Sequence, residues 1–344
     1  MINNSSRTAL LVRRFQKVAW LTVGAVLFLI LVGGLVRMTG SGMGCPDWPQ
    51  CFGQWVPPTD ISQLPVDYKT RFAVAGKEIA DFDAVKTWIE YINRLIGVLI
   101  GGFALLTVVL AFPLRGTHKS VWRWSLAGLI LVILQGFLGA YVVRTDLKVG
   151  IITLHMFMAL LVLAAFLAGA VLSYPKRWQR LASALPSLNT TQIGIASFAL
   201  VMVLLQILLG TQVREGVDEI AKAFGEAERA NWLSQLGISY TYHKYFYYTV
   251  IGAMGLAAWQ LKAVWTKSTL VRNLGLVAVA LVGTEILLGL GMHHFAIPKI
   301  LQPLHLLFAS MLFADLAAIL MVLVLAKQKQ NNAVSAGAGM VLEQ

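Results

Sequence analysis

The chain has 344 residues, of which 58% are hydrophobic and only 13% are charged. This balance excludes a soluble globular domain and is typical of a polytopic membrane protein. The formal net charge of +12 comes from basic residues that concentrate in alternate segments between apolar runs. The positive-inside rule explains such a pattern, so no nucleic-acid partner is expected.

Eight apolar intervals bounded by charged residues are long enough, or nearly so, for the ~20 residues of a membrane-spanning helix. Four lie in each half of the chain. The intervals are 17–37, 94–115, 123–144, 148–176, 180–214, 244–262, 272–299 and 299–327. Lysine and arginine are enriched at both ends of the chain and in every second connection, so both termini are expected in the cytoplasm and the protein in the cell (inner) membrane.

Residues 1–16 are predicted to form a short basic arm before the first helix, which leads into a long outer loop over 38–86. This loop holds the two cysteines of the chain, Cys45 and Cys51, in a stretch rich in glycine and proline. The compartment outside the cytoplasm permits disulfides. A structural disulfide between Cys45 and Cys51 is predicted, and a redox-active dithiol and two unpaired thiols are the alternatives. Two thiols alone are too few for a zinc site.

The second apolar run opens with WIEYINRLIG, which carries Glu90, Asn93 and Arg94. On a helix these residues lie three and four positions apart and share one face. Ionisable groups at membrane depth are costly and mark functional sites. His155 follows 62 residues after Asn93, alone in another apolar run.

A linker over 174–190 precedes a second half that repeats the first. Positions 150 residues after Asn93 and His155 are His243 and His305. We interpret this as a tandem duplication of 17–173 and 191–327, followed by a cytoplasmic tail over 328–344. The predicted fold class is an all-α polytopic membrane protein, with eight transmembrane helices as two pseudo-symmetric four-helix bundles.

The repeated histidines point to haem. A neutral imidazole is a common axial ligand, one histidine from each of two helices can hold a haem between them, and a four-helix bundle is a natural container. Each histidine could instead simply hydrogen-bond a neighbour. Candidate contacts to haem propionates at the same level, which could equally snorkel to the interface, are Arg37, Arg144, Arg214 and Lys244.

Five motifs make the chain resemble the haem A synthase family over nearly its whole length. They are GGLVRMTGSGMGCPDW, IEYINRLIG, TLHMF, PLHLL and the region of His243. The resemblance implies that His243 and His305 bind a haem b cofactor. It also implies that the amino-terminal half takes haem O as substrate and oxidises a ring methyl to the formyl group of haem A. Glu90 matches the glutamate of the family's pocket. Implied partners are haem O synthase, a terminal oxidase and the lipid bilayer, and a homo-oligomer is an open alternative.

One position departs from the family pattern. Family members commonly read E-x-x-His-Arg on the second helix, and here the histidine is Asn93. Asparagine is no ordinary haem ligand, so His155 would be the one protein ligand of the amino-terminal site. That leaves the iron open to oxygen or water, or else weakens the activity.

The predicted function is therefore haem A synthase, a membrane oxidoreductase. His155 would ligate the substrate haem beside Asn93 and Arg94, and Glu90 would donate a proton or stabilise positive charge at the oxidised carbon. One alternative is a non-enzymatic b-type cytochrome, which leaves Glu90 without a role. The other is a repeat-built transporter with Glu90, Glu285 and Asp315 along its path.

Overall fold

The computed structural model describes residues 4–342, and within them the side chains of 8–225 and 227–333. Over this part the structure is helical, and extended pairing is limited to the isolated bridges Cys51–Gln54 and Val74–Lys77. The all-α prediction is confirmed. The ends of the predicted arm and tail, 1–3 and 343–344, lie outside the described residues.

Twelve α-helices occur in the described residues. They are α1 Asn4–Met38, α2 Tyr68–Arg71, α3 Ala84–Ala111, α4 Lys119–Arg144, α5 Val149–Leu172, α6 Pro175–Ala184, α7 Thr190–Phe224, α8 Trp232–Gln235, α9 Ile238–Gln260, α10 Lys262–Lys267, α11 Thr269–His294 and α12 Leu301–Leu342. Short 3-10 turns cover Ile61–Gln63, Phe112–Leu114 and Glu226–Asn231. The described parts of the predicted arm and tail are thus continuous with the first and last helices.

Seven helices of the described chain are long and apolar enough to cross a membrane. They are Thr8–Met38, Ala84–Leu114, Lys119–Arg144, Val149–Leu172, Thr190–Phe224, Thr269–His294 and Leu301–Ala333. The protein is therefore a multi-pass membrane protein. The remaining predicted span falls on α9, which has 23 residues. Its first turns read ISYTYHKYFYYT, and these polar and tyrosine side chains lower its hydropathy below that of the other seven.

Side-chain caps fix where three of these helices begin. The Asp83 side chain accepts from the Lys86 N–H at the start of α3, and Ser268 accepts from the Val271 N–H at the start of α11. Asn189 and Gln192 form a capping box at the start of α7. Each cap satisfies backbone donors that have no partner within the helix.

The spanning helices pack side by side, and α5 and α12 make close contacts with the largest number of other spanning helices. Helices α1, α3, α4 and α5 form a closed ring, α7 packs on α9 and α12, and α11 packs on α12. The joining contacts are α1 with α12, α5 with α12 and α5 with α7. Small residues permit close approach, as is usual between membrane helices. A Cβ added at Gly34 of α1 would lie 2.9 Å from the Pro303 Cβ of α12.

The connection between α1 and α3 folds back onto the start of α3. Cys45 and Cys51 form a disulfide, which confirms the predicted bond and excludes the unpaired-thiol alternative. We call residues 44–55 the disulfide loop. Both cysteines are fully buried beside Phe52 and Tyr68. This small apolar core, separate from the one between the helices, gives the loop a defined shape.

Candidate functional site

A continuous cavity of about 2120 Å³ runs between the helices and beneath the disulfide loop. Single small-molecule pockets have roughly 300–1,000 Å³, so this cavity has room for more than one such ligand. The predicted site residues that line it are Glu90, Asn93, Arg94, His155, His243 and His305. The structure therefore brings the candidate residues of both halves to one connected space.

His243 of α9 and His305 of α12 face each other in this cavity. Their ring centroids lie 6.2 Å apart, with the ring planes at 86°. A transition metal bonds an imidazole nitrogen at about 2 Å, which places two rings on opposite sides of one metal roughly 6 Å apart. The buried Nδ1 of His243 has no hydrogen-bond partner. The pair therefore fits the axial ligand set of a bis-histidine haem.

A bare metal ion fits less well. Among the described residues, no group of three or more His, Cys, Asp or Glu side chains is placed to hold a metal ion. Two imidazoles alone leave at least half of the coordination positions of a metal unfilled. A porphyrin supplies four further nitrogens, so the donor set matches haem chemistry.

Glu285 of α11 lies behind the His305 ring. Its Oε2 is 3.0 Å from the His305 Nδ1, although the two are not aligned for a hydrogen bond, since that nitrogen has no hydrogen-bond partner. Ligating histidines almost always place their other ring nitrogen against a carboxylate, a carbonyl or water. Sequence reasoning had given Glu285 only as a path residue of the transporter alternative.

Two glutamines make the same contact in the two halves. The Gln135 Nε2 of α4 donates to the His155 carbonyl oxygen of α5 at 3.0 Å. The Gln206 Nε2 of α7 donates to the His243 carbonyl oxygen of α9, also at 3.0 Å. These bonds tie the histidine-bearing helices α5 and α9 to α4 and α7, respectively.

Two glycines leave space for the imidazole rings of His155 and His243. A Cβ added at Gly139 would lie 3.3 Å from the Cε1 of His155, and one at Gly210 would lie 3.1 Å from the Cε1 of His243. A signal for these contacts exists in the sequence, because an amide or carboxyl residue stands four positions before a glycine on three helices. These pairs are Gln135 and Gly139, Gln206 and Gly210, and Glu285 and Gly289.

Helices α1 and α3, of which α3 carries Asn93, lack this combination of a histidine and a glutamine partner. Residues 30–37 of α1 read ILVGGLVR and match ILLGTQVR at 207–214 of α7. In that alignment Leu29 stands where α7 has Gln206. The amino-terminal half thus has neither the imidazole nor its glutamine partner at this position, and Asn93 lines the cavity instead.

Arg94 points towards Glu90 and the disulfide loop. Its Nε donates to the Glu90 Oε1 at 3.0 Å, and both side chains are nearly buried, at 11% and 8% exposed. Its Nη1 donates to the carbonyl oxygens of Asp47 at 2.6 Å and Gln50 at 3.1 Å, and its Nη2 to that of Cys45 at 2.7 Å. Most of the guanidinium donors therefore bind protein groups.

The four candidate propionate contacts separate into different settings. Asp218 bridges Arg37, at 2.8 Å, and Arg214, at 2.5 Å, and thereby links α1 to α7 on the cavity wall. The bridged cluster keeps a formal charge of +1. Lys244 also lines the cavity. Arg144 is exposed and is absent from the lining formed by the described residues.

A polar cluster between α5 and α7 was not expected from the sequence. The Thr153 hydroxyl contacts the Glu215 Oε1 at 3.2 Å and the Thr211 hydroxyl at 3.1 Å, and it accepts from the Gln212 Nε2 at 2.9 Å. The apolar interval predicted for this span ends at residue 214, whereas α7 continues to Phe224 and buries the Glu215 carboxylate.

Residues 16–317 match the family described as "Cytochrome oxidase assembly protein", which covers most of the chain. The chain belongs to the cytochrome oxidase assembly protein family. The chain is also similar to individual proteins named heme A synthase. The protein from Shewanella oneidensis is 26% identical over 230 residues, which are 65% of this chain and 65% of that protein.

Two further proteins of that name extend the comparison. The Erythrobacter litoralis protein is 29% identical over 210 residues, 56% of this chain and 60% of the relative. The Rhodopseudomonas palustris (strain HaA2) protein is 32% identical over 212 residues, 56% of this chain and 55% of the relative. The chain thus aligns with between about half and two thirds of the length of these relatives.

Within this member of the cytochrome oxidase assembly protein family, the two histidine sites differ in composition. The carboxy-terminal half has two facing imidazoles with a carboxylate behind one of them. The amino-terminal half has His155, with Asn93 and the Glu90–Arg94 ion pair on the same cavity wall. One site can close around a metal from both sides, and the other leaves one side to a further ligand.

Proposed function

We propose that the protein is a haem A synthase, an oxidoreductase that oxidises a ring methyl of haem O to the formyl group of haem A within the membrane. The observation that carries the proposal is the pair of facing imidazoles, His243 and His305, in one cavity with a single-imidazole site. Family membership and the names of the relatives support it.

We infer an eight-helix topology of two pseudo-symmetric four-helix bundles, 17–173 and 191–327, with α9 as the eighth span. Its 23 residues extend about 35 Å at 1.5 Å per residue, enough to cross a hydrocarbon core of about 30 Å. The distribution of lysine and arginine supports cytoplasmic termini. A protein so oriented places the disulfide loop outside the cytoplasm, where disulfides persist.

The carboxy-terminal site would hold haem b. His243 and His305 would hold its iron, and haem b bound there would supply one-electron transfer. Glu285 orients the His305 ring from behind, and Gln206 holds the His243 backbone against α7. Arg37, Arg214 and Lys244 are candidate contacts to propionates, with Asp218 offsetting part of that charge.

The amino-terminal site would hold the substrate haem O through His155. Converting a methyl to a formyl group replaces two hydrogens by one oxygen, so with water as the oxygen source four protons and four electrons must leave and positive charge must be stabilised. The haem b held by the other site would accept these electrons one at a time and pass them to an external oxidant. Glu90 is the catalytic group for this work, because its carboxylate lies on the cavity wall. Arg94 keeps that carboxylate in one orientation, and Asn93 lines the cavity without supplying an iron ligand.

The chemistry of substrate and product defines the partners. Haem O synthase would supply the substrate and a terminal oxidase would take the product, both through the lipid bilayer. A homo-oligomer is compatible with this arrangement, and no step of the proposal requires one.

Pigment analysis tests the function. The protein is expressed together with a haem O synthase and purified, and its haems are extracted and separated by chromatography. We expect haem b plus haem O or haem A. Haem b alone would instead indicate an electron-relaying cytochrome, and no haem would favour a transporter.

Two variants sharpen this test. His155→Ala should abolish haem A and leave haem b bound, because the second site does not involve that imidazole. His118→Ala is the matched control, since this partly exposed histidine pairs with the Thr117 hydroxyl and is not part of the cavity lining. It should change neither pigment. Loss of haem b in His155→Ala would contradict the division of the two sites.

A further inference from the structure

Arg94 joins two parts of the candidate site that are distant in sequence. One edge of its guanidinium binds Glu90 on the same helix, and the other edge binds three carbonyl oxygens of the disulfide loop. We propose that Arg94 is a positioning residue, which anchors this loop on α3 and holds the Glu90 carboxylate beside the cavity. The inference deepens the proposed function and rests on it for the role of Glu90.

The disulfide loop is shaped to present its carbonyl oxygens. The Asp47 carboxylate accepts from the backbone N–H groups of Phe52 at 2.6 Å and Gly53 at 2.7 Å, which fixes the turn. The disulfide between Cys45 and Cys51 closes the same turn. The carbonyl oxygens therefore converge on one point. The planar guanidinium of Arg94, with its five N–H donors, matches this arrangement.

Further contacts seat the loop along the first turns of α3. The Thr87 hydroxyl donates to the Gly44 carbonyl oxygen at 2.9 Å, and the Tyr91 hydroxyl donates to that of Trp55. A Cβ at Gly44 would come within 2.4 Å of the Lys86 carbonyl oxygen, so the two backbones touch. Arg94 continues this row by one more turn and adds the charged contact.

The docked loop forms part of the cavity wall. Trp48, Phe52 and Trp55 line the cavity together with Glu90 and Arg94. Releasing the loop would open the cavity beside Glu90 to water and would free the carboxylate from its ion pair. The loop position and the carboxylate position therefore depend on the same guanidinium.

Two substitutions separate these two effects. Arg94→Lys keeps a positive charge near Glu90 but replaces the fork by a single ammonium group, which cannot reach three carbonyl oxygens in one plane. Arg94→Gln removes the charge as well. Arg71→Lys is the matched control, because the Arg71 guanidinium lies over the Phe72 ring, outside the disulfide loop.

Hydrogen–deuterium exchange read by mass spectrometry on the full chain in detergent micelles tests the anchor. The amides of Cys51 and Gln54 are bonded within the loop and report on its order. In both Arg94 variants we expect exchange over 44–55 to become about tenfold faster or more, because several bonds to a charged group are lost. Exchange in Arg71→Lys and in Val149–Leu172 of every variant should match the unmodified protein.

Turnover of haem O then tests the role in positioning Glu90. Arg94→Gln should lower kcat by roughly 10–100-fold, because misplacing a reacting group by about 1 Å can cost on the order of 100-fold in rate. Arg94→Lys should recover most of kcat and keep a raised KM, since the charge is present and the loop is loose. A purely structural role would lower the amount of folded protein without this split.

Each outcome decides one part of the inference. Unchanged loop exchange in Arg94→Lys would overturn the anchor, even if Arg94→Gln failed to fold. Faster loop exchange with kcat unaltered in Arg94→Gln would overturn the positioning of Glu90. If the unmodified protein converts no haem O, the proposed function fails, whereas the exchange result still decides whether Arg94 anchors the loop.

Discussion

At the scale of single residues, the histidines owe their setting to polar neighbours that lie behind them. Glu285 stands behind the His305 ring, and Gln135 and Gln206 fix the backbones of the other two histidines. A metal-binding imidazole depends on such neighbours for its orientation and its basicity. Substitutions behind the rings should therefore change a bound haem without touching it.

Glu285→Gln tests this expectation. The substitution keeps the shape of the side chain and removes the negative charge near the His305 Nδ1, so the imidazole donates less electron density to iron. We expect a higher midpoint potential for haem b, measured by spectroelectrochemical titration. Asp315→Asn is the control, since this buried carboxyl lies ten residues along α12 and should shift the potential less.

An unchanged potential in Glu285→Gln would show that the carboxylate does not tune the haem. Equal shifts of the midpoint potential in Glu285→Gln and Asp315→Asn would instead point to a general effect of charge in the bundle.

At the scale of elements, apolar runs bounded by charges predicted the helices well, because the bilayer requires long uninterrupted spans. Residue patterns located Glu90 and the histidines for the same reason: polar groups stand out in apolar helices. They could not locate the loop contacts of Arg94, since those partners are backbone carbonyl oxygens and carry no sequence signature. The apolar pattern also could not show where α7 ends, because its last turns from 215 to 224 are charged and lie beyond the apolar interval.

Gly210→Ala tests how tightly α7 packs against α9. The new Cβ would lie 3.1 Å from the Cε1 of His243, so the ring must shift by a few tenths of an ångström and retention of haem b should fall. Gly194→Ala on the same helix is the matched control, since nothing lies within 4 Å of its Cβ position. Haem content per protein after purification is the measurement.

Equal haem content in Gly210→Ala and Gly194→Ala would mean that the His243 ring has more room than the structure gives it.

The disulfide between Cys45 and Cys51 can be tested by thiol labelling. Alkylation of native membranes without a reductant should label neither Cys45 nor Cys51, and labelling after denaturation and reduction should modify both. The ring that they close is short, so the bond should stabilise the loop by only about 2 kcal/mol. Two thiols that react freely in native membranes would contradict the pairing.

At the scale of the whole molecule, the two halves are joined by charged and polar contacts as well as by apolar packing. Asp218 binds Arg37 across α1 and α7, and Thr153 contacts Glu215 across α5 and α7. The repeated positions of polar residues led us to expect a tandem duplication. The contacts between the halves belong to no repeated pair of positions, so the sequence did not indicate them. They hold the two histidine sites at a fixed separation, which electron transfer between haems would require.

The central claim is that one half binds a closed haem and the other an open one, and carbon monoxide binding tests it most directly. Reduced protein that carries both haems should bind carbon monoxide at the amino-terminal haem, where His155 and Asn93 both line the cavity, and not at the haem held by His243 and His305. Asn93→His should supply a sixth ligand and suppress that binding. If the amino-terminal haem of the unmodified protein is low-spin and inert to carbon monoxide, another side chain ligates it and the account of that site is wrong.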